Sequence, residues 1–144
     1  MTPETSIHFN RITTWFETLT PQTLSQIDSI YSVDARFRDP FNNIVGLPGI
    51  TKVYQHMFDT LQNPKFNIID SVVRNEQAFV TWTFDFRISG RLLQIEGCTH
   101  FVLNTDGRIA VHRDYWDAAE ELYEKFPVLG SFMRLLKRKL AVSL

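Results

Sequence analysis

Apolar residues recur along this chain at two different spacings, and the change falls at Pro64. Before it, Ile7, Ile12, Trp15, Phe16 and Leu19 sit near helical spacing until Thr20-Pro21 ends the run, predicting a helix over residues 6–19. A second, shorter helix is predicted over 22–31, with Leu24, Ile27, Ile30 and Tyr31 on one side. Residues 35–39 alternate and then meet Pro40, which allows only a short strand entering a turn. Residues 41–49 read as a loop. Helical spacing returns over 50–61 through Ile50, Val53, Tyr54, Met57, Phe58 and Leu61.

After Pro64 the segments 66–74, 78–88, 91–103 and 108–116 are rich in β-branched and aromatic residues. Asn75-Glu76, Ser89-Gly90 and Asn104-Thr105-Asp106-Gly107 join them, which is the chemistry of tight hairpins, so an antiparallel meander is predicted. Helices followed by a meander imply an α+β domain with helices on one sheet face. Alternation then sorts side chains by face. Trp82, Phe84 and Phe86 share one side of their strand, while Thr81, Thr83 and Asp85 share the other. The pattern alone makes Thr81, Thr83 and Asp85 a solvated face, and the aromatic row core or dimer interface. In the later strands Thr99 and Phe101 share a side, as do His112, Asp114 and Trp116.

Composition narrows the class further. The 144 residues, 44% hydrophobic and 22% charged, fit one globular domain. A net charge of −1 gives no general pull toward nucleic acid. The single cysteine, Cys98, excludes an internal disulfide framework and a Cys-rich zinc site. No apolar run approaches membrane-span length, and the first residues lack the basic and apolar regions of a secretory signal. The expectation is a soluble, reduced, cytoplasmic protein.

Two stretches carry a family resemblance. Phe37-Arg38-Asp39-Pro40, with the loop to Gly46 and the following helix, is one. The other is Thr99-His100-Phe101, then Asp106-Gly107-Arg108-Ile109, then His112-Arg113-Asp114-Tyr115-Trp116-Asp117. Together they resemble the nuclear transport factor 2-like superfamily, which includes ketosteroid isomerases, limonene-epoxide hydrolases and SnoaL-like polyketide cyclases. The resemblance implies a cone-shaped α+β roll, with N-terminal helices packed on a strongly bent antiparallel sheet. It implies a pocket at the open end and a homodimer through the outer sheet face. Residues 1–118 would form this domain, and 119–144 an amphipathic helical extension of it.

Carried over residue by residue, the resemblance places Asp39 where the isomerases hold their general base. It turns Thr81, Thr83 and Asp85 inward, to line the cone with Thr99, Phe101, His112, Asp114 and Trp116. Tyr31 and Tyr54 would close the cone, and Trp15 or Phe16 would stand near the isomerase donor tyrosine. Isomerase-like chemistry then departs from the family pattern at Thr99, which occupies the place of the donor aspartic acid. Epoxide hydrolysis would use Asp85 and Asp114 as its pair, but Thr83 replaces the bridging arginine, Phe37 the tyrosine and Asp39 the asparagine. A third arrangement belongs to this sequence alone. His112 and Asp114 are two apart on one strand and could form an acid/base pair, or equally a structural hydrogen bond. Asp39 has a structural alternative of its own, as the cap of the turn at Pro40. The implied ligand is a small apolar molecule, with no cofactor and no metal.

The tail holds one more pattern. Leu129, Phe132, Met133, Leu136 and Leu140 lie on one helical stripe, with Arg134, Lys137, Arg138 and Lys139 interspersed, after the acidic Asp117, Glu120, Glu121 and Glu124. Packing across the sheet or the cone mouth is the first expectation for this helix, and a membrane surface or anionic partner the second.

Overall fold

A computed structural model describes residues 2–123 and 127–141. The elements run α1 (Pro3–Glu17), a 3-10 turn (Thr23–Gln26), α2 (Ile27–Ile30), β1 (Tyr31–Arg38), β2 (Asn43–Val45), α3 (Leu47–Thr60), β3 (Gln62–Arg74), β4 (Gln77–Ile88), β5 (Arg91–Leu103), β6 (Ile109–Tyr115), α4 (Ala118–Glu121) and α5 (Pro127–Leu140). Helix α1 starts on Thr2, whose hydroxyl accepts a bond from the Thr5 amide at 3.2 Å, with Pro3 in the first turn where no amide proton is needed. Between β4 and β5, Ser89 and Gly90 both take positive φ, 51° and 74°, the twist a two-residue hairpin requires.

The six strands form one open mixed sheet in the order β2-β1-β6-β5-β4-β3. The predicted meander is its antiparallel body. The expectation of a wholly antiparallel sheet is corrected at one place, since β1 runs parallel to β6, with Phe37 beside His112. Parallel neighbours need a long connection, and everything from β2 to β5 supplies it. Residues 43–45, read as loop, pair instead with β1. Register shifts interrupt the β1/β6, β3/β4 and β5/β6 ladders, and such irregularities bend strands and sharpen twist.

The core lies between the helices and one sheet face. Ile12, Trp15 and Phe16 of α1 and Ile50 and Tyr54 of α3 pack with Ala78, Val80 and Phe101 of the sheet. Trp82, Phe84, Phe86, Leu93 and Ile95 form a second cluster farther along the same face. Gly97, opposite Trp82 in the ladder, makes the second cluster geometrically feasible, because a Cβ at Gly97 would collide with the indole.

The tail corrects an expectation. Helix α5 does not bury its apolar stripe against the sheet: Leu129, Phe132, Leu136 and Leu140 are all exposed. Glu124 and the side chain of Met133 lie outside the described residues. No helix among the described residues is long and apolar enough to cross a membrane.

Candidate functional site

Between the two clusters the core is not filled. A cavity of about 300 Å³ opens there, walled by Phe16 of α1, Phe37 of β1, Tyr54 and Met57 of α3, Phe66 of β3, Trp82, Phe84 and Phe86 of β4, and Phe101 of β5. Aromatic rings dominate because alternation turns one apolar row per strand inward, and these rows meet below α1 and α3. Phe41, Trp116 and Leu122 line it too, and Phe41 packs edge-on against Trp116.

Polar groups reach this apolar space along one continuous line. Cross-strand pairing sets Val80 beside Thr99 and Thr99 beside Asp114, and it sets Phe101 beside His112. Trp82 Nε1 donates to Thr99 Oγ1 at 2.8 Å, and Thr99 Oγ1 donates to Asp114 Oδ1 at 2.5 Å. Asp114 Oδ1 also meets His112 Nε2 at 2.8 Å. On the other side of the ring, His112 Nδ1 lies 2.7 Å from Tyr31 Oη, which lies 2.7 Å from Tyr54 Oη. Donor counting gives the line a direction. An ionised Asp114 only accepts, so the proton of His112 sits on Nε2. Nδ1 of the neutral ring then accepts from Tyr31, and Tyr31, its proton spent, accepts from Tyr54. If the ring carries two protons the order reverses: Nδ1–H donates to Tyr31, Tyr31 to Tyr54, and the Tyr54 hydroxyl proton is released toward the cavity.

Burial divides the roles along this line. His112 and Tyr31 are 4% and 0% exposed, whereas the Asp114 side chain keeps 16%. Asp114 Oδ2 accepts no hydrogen bond from the described residues, and the residue lines the cavity. Burial also raises both tyrosines well above their ordinary range. Tyr31 is pushed further by Tyr54 and by the charge of Asp114. For Tyr54 the bond to Tyr31 acts the other way, while Asp114 and Asp39 add to the rise. Unfolded tyrosine ionises near pH ~10. The stability these hydroxyls contribute is therefore fully present below that pH and lost as pH climbs through their raised folded values. Thermal unfolding scans between pH 8 and 11.5 are expected to show a falling midpoint above pH ~10 that is shallower in a Tyr31→Phe/Tyr54→Phe double variant. Equal slopes would contradict this account.

The other sequence candidates divide sharply. Thr99, Phe101, Tyr54, Trp116, His112, Asp114 and Asp39 all line the cavity. Asp85, Thr81 and Thr83 do not. They lie on the opposite face of β4 from Trp82, Phe84 and Phe86, and Asp85 is held there by Asn67 Nδ2 at 3.0 Å and Gln94 Nε2 at 2.7 Å. The inward turn implied by the resemblance is thus corrected, and the plain alternation pattern is right. Trp15 packs in the core rather than the cavity wall, its Nε1 donating to the Thr23 carbonyl at 3.1 Å; its neighbour Phe16 reaches the cavity instead. Tyr31 acts from behind the wall. Asp39 does cap its turn: Oδ1 accepts from the amides of Phe41 at 2.8 Å and Asn42 at 2.6 Å, and the Asn42 side chain spans both oxygens. Among the described residues no cluster of three or more histidine, cysteine or acidic side chains could hold a metal.

The SnoaL-like domain family model matches residues 12–112, from the middle of α1 into β6. No curated protein matches the chain in sequence. Among solved structures, an LEH-like epoxide hydrolase from M. tuberculosis is similar over the whole of both chains, at 19% identity and a TM-score of 0.73. A hypothetical protein of ketosteroid isomerase-like fold from Catenulispora acidiphila, in complex with trimethylamine, is 14% identical over 85% of this chain and 92% of its own, with a TM-score of 0.68. TerC co-crystallised with polyporic acid is 13% identical over 81% and 93%, with a TM-score of 0.69. At such identities the likeness is one of fold.

Proposed function

The chain belongs to the SnoaL-like domain family, and from that premise we propose that it is a cofactor-independent acid/base enzyme of the isomerase, cyclase or hydrolase type. Its substrate is a small, largely apolar molecule bearing a carbonyl, hydroxyl or epoxide. The observation that carries this reading is Asp114: a carboxylate fixed through one oxygen by His112 and Thr99, its other oxygen without a hydrogen-bond donor among the described residues, on the wall of an aromatic cavity. A carboxylate so placed accepts a proton from a bound substrate without first shedding a full hydration shell. His112 holds its orientation, and Tyr54 answers at the far end of the line as donor or acceptor to a substrate oxygen. Asp39 stands second as an acid/base group, since it borders the same cavity while serving the turn. The test is deuterium incorporation from D2O into a panel of cyclic ketones and enones, and consumption of cyclic epoxides, followed by NMR. Exchange or turnover above the buffer rate, lost on replacing Asp114, is the expected result.

A second reading, a non-catalytic ligand-binding or protein-interaction module, draws on the turn that occupies both Asp39 oxygens. It requires tight binding of apolar ligands with no exchange, and no change on replacing Asp114.

The reading includes a homodimer through the outer sheet face, in a cytoplasm whose reducing state suits the lone Cys98. Val72, Phe79, His100 and Arg113 form one cross-strand row there, and Phe79, 49% exposed, stacks on His100. Phe79→Glu is expected to convert the dimer to monomer in light scattering; a variant of unchanged mass would remove this face from consideration.

A further inference from the structure

Helix α5 carries its chemistry the wrong way round for a helix that only packs. Val128, Phe132 and Leu140 are 87%, 62% and 78% exposed, and Leu129, Leu135 and Leu136 complete an apolar stripe that touches little of the domain. The opposite side carries Gly130, Ser131, Arg134, Lys137 and Arg138. Gly130 is buried, and Lys137 reaches Glu120 of α4 at 3.3 Å. Helix α4 is itself anchored, the Glu121 carboxylate accepting from the Glu96 amide at 3.3 Å. The helix thus meets α4 through its polar side and leaves its apolar stripe in solvent. Its charged residues are Arg134, Lys137, Arg138 and Lys139, all exposed, and it has no acidic residue.

We propose that α5 is a docking helix for an anionic lipid surface, lying in the plane of the interface with its apolar stripe among the acyl chains. The geometry fits that partner on both counts. Phe132, Leu136 and Leu140 would enter the headgroup boundary, Lys139 beside them would reach lipid phosphates along its own apolar stem, and the exposed Arg134, Lys137 and Arg138 on the polar side would add the positive charge that holds such a helix at an anionic surface. A second copy of this chain fits less well. A two-fold contact through the apolar stripe presents the same patch from both sides, and so brings two helices of like positive charge together with Lys139 of each at the contact. The placement does not depend on the enzymatic reading.

The test is co-sedimentation of the purified full chain with phosphatidylcholine vesicles, with and without phosphatidylserine at about 30 mol %. Binding about tenfold or more tighter to the anionic vesicles is expected, weakening as salt is added. Phe132→Ser/Leu136→Ser should weaken it about a hundredfold, and Arg138→Gln/Lys139→Gln about tenfold. Because these side chains are exposed, circular dichroism and the melting midpoint should stay unchanged in both variants, which separates lost docking from lost folding. Equal binding to both vesicle types, or binding to neither, overturns the proposal. Self-association that disappears in the Phe132→Ser/Leu136→Ser variant, without vesicle binding, assigns the stripe to a second copy and overturns it as well.

Discussion

Asp114→Asn is expected to lower turnover about 10²–10⁴-fold while leaving the affinity for an apolar ligand within a few-fold of the parent. The substitution suits the site because the amide is nearly isosteric. Its carbonyl oxygen can still accept from Thr99 and His112, whose bonds to Oδ1 are 2.5 and 2.8 Å, so the wall keeps its shape. What it loses is the ability to take a proton at Oδ2. A fall in kcat with a near-constant binding constant therefore isolates proton transfer from binding. Asp85→Asn is the matched control: the same chemical change on the outer face, between Asn67 and Gln94, should leave kcat unaltered. Asp39→Asn lies between them. It perturbs a turn that borders the cavity, and an effect as large as that of Asp114→Asn would move the principal base to the Pro40 turn. Unchanged turnover in Asp114→Asn would remove the central claim.

The faces of the sheet were legible in the sequence, and their meaning was not. Alternation in β4 placed Trp82, Phe84 and Phe86 together on the buried side and Thr81, Thr83 and Asp85 on the other, which is where they are. The pattern reads that apolar row as core or dimer interface, yet it lines a cavity, because a wall of a cavity and the lining of a filled core have the same pattern. The difference is whether side chains from α1 and α3 fill the space opposite, and that depends on sheet curvature set by ladder irregularities. The family resemblance found the fold and the right end of β6, but it pulled the polar row of β4 inward. One residue of register is enough to make that error, since a shift by one exchanges every side chain between faces.

The hydrogen-bonded line shows a different limit. His112 and Asp114 were recognisable as a pair because two residues on one strand share a face. Their partners come from elsewhere: Tyr31 at the start of β1, Tyr54 in α3 and Thr99 in β5. Only the parallel β1/β6 pairing brings β1 alongside His112, and a meander read from local turns contains no such neighbour. The tail repeats the lesson. The amphipathic period of α5 is visible in the sequence, but which side meets α4, with Lys137 beside Glu120, is a contact between elements that the period does not contain.

The second large effect is expected at His112. Replacing it with Phe keeps a ring of similar size among Phe37, Phe101 and Phe16, which surround it at centroid distances of 4.6, 4.9 and 5.8 Å, so packing loss should be small. The polar loss is not. Among the described residues, Tyr31 Oη keeps only Tyr54, and Asp114 keeps only Thr99 with no second donor to support its charge. Each buried group stripped of a partner costs about 1–3 kcal/mol, so for these two about 2–6 kcal/mol is expected for the variant. For a domain of this size, at about 2–4 °C per kcal/mol, that lowers the melting midpoint by roughly 4–24 °C. Tyr31→Phe in the same background discriminates the cause. If the cost arises from the broken line, removing the stranded tyrosine hydroxyl should restore part of the stability, and the double variant should be less destabilised than the sum of the two singles by about 0.5–3 kcal/mol. Strict additivity would mean that the line is a row of independent bonds, with no proton order running through it. A kcat that survives His112→Phe would further mean that Asp114 needs no orienting ring, which would reduce His112 to a structural role and leave Thr99, among the described residues, to hold the carboxylate.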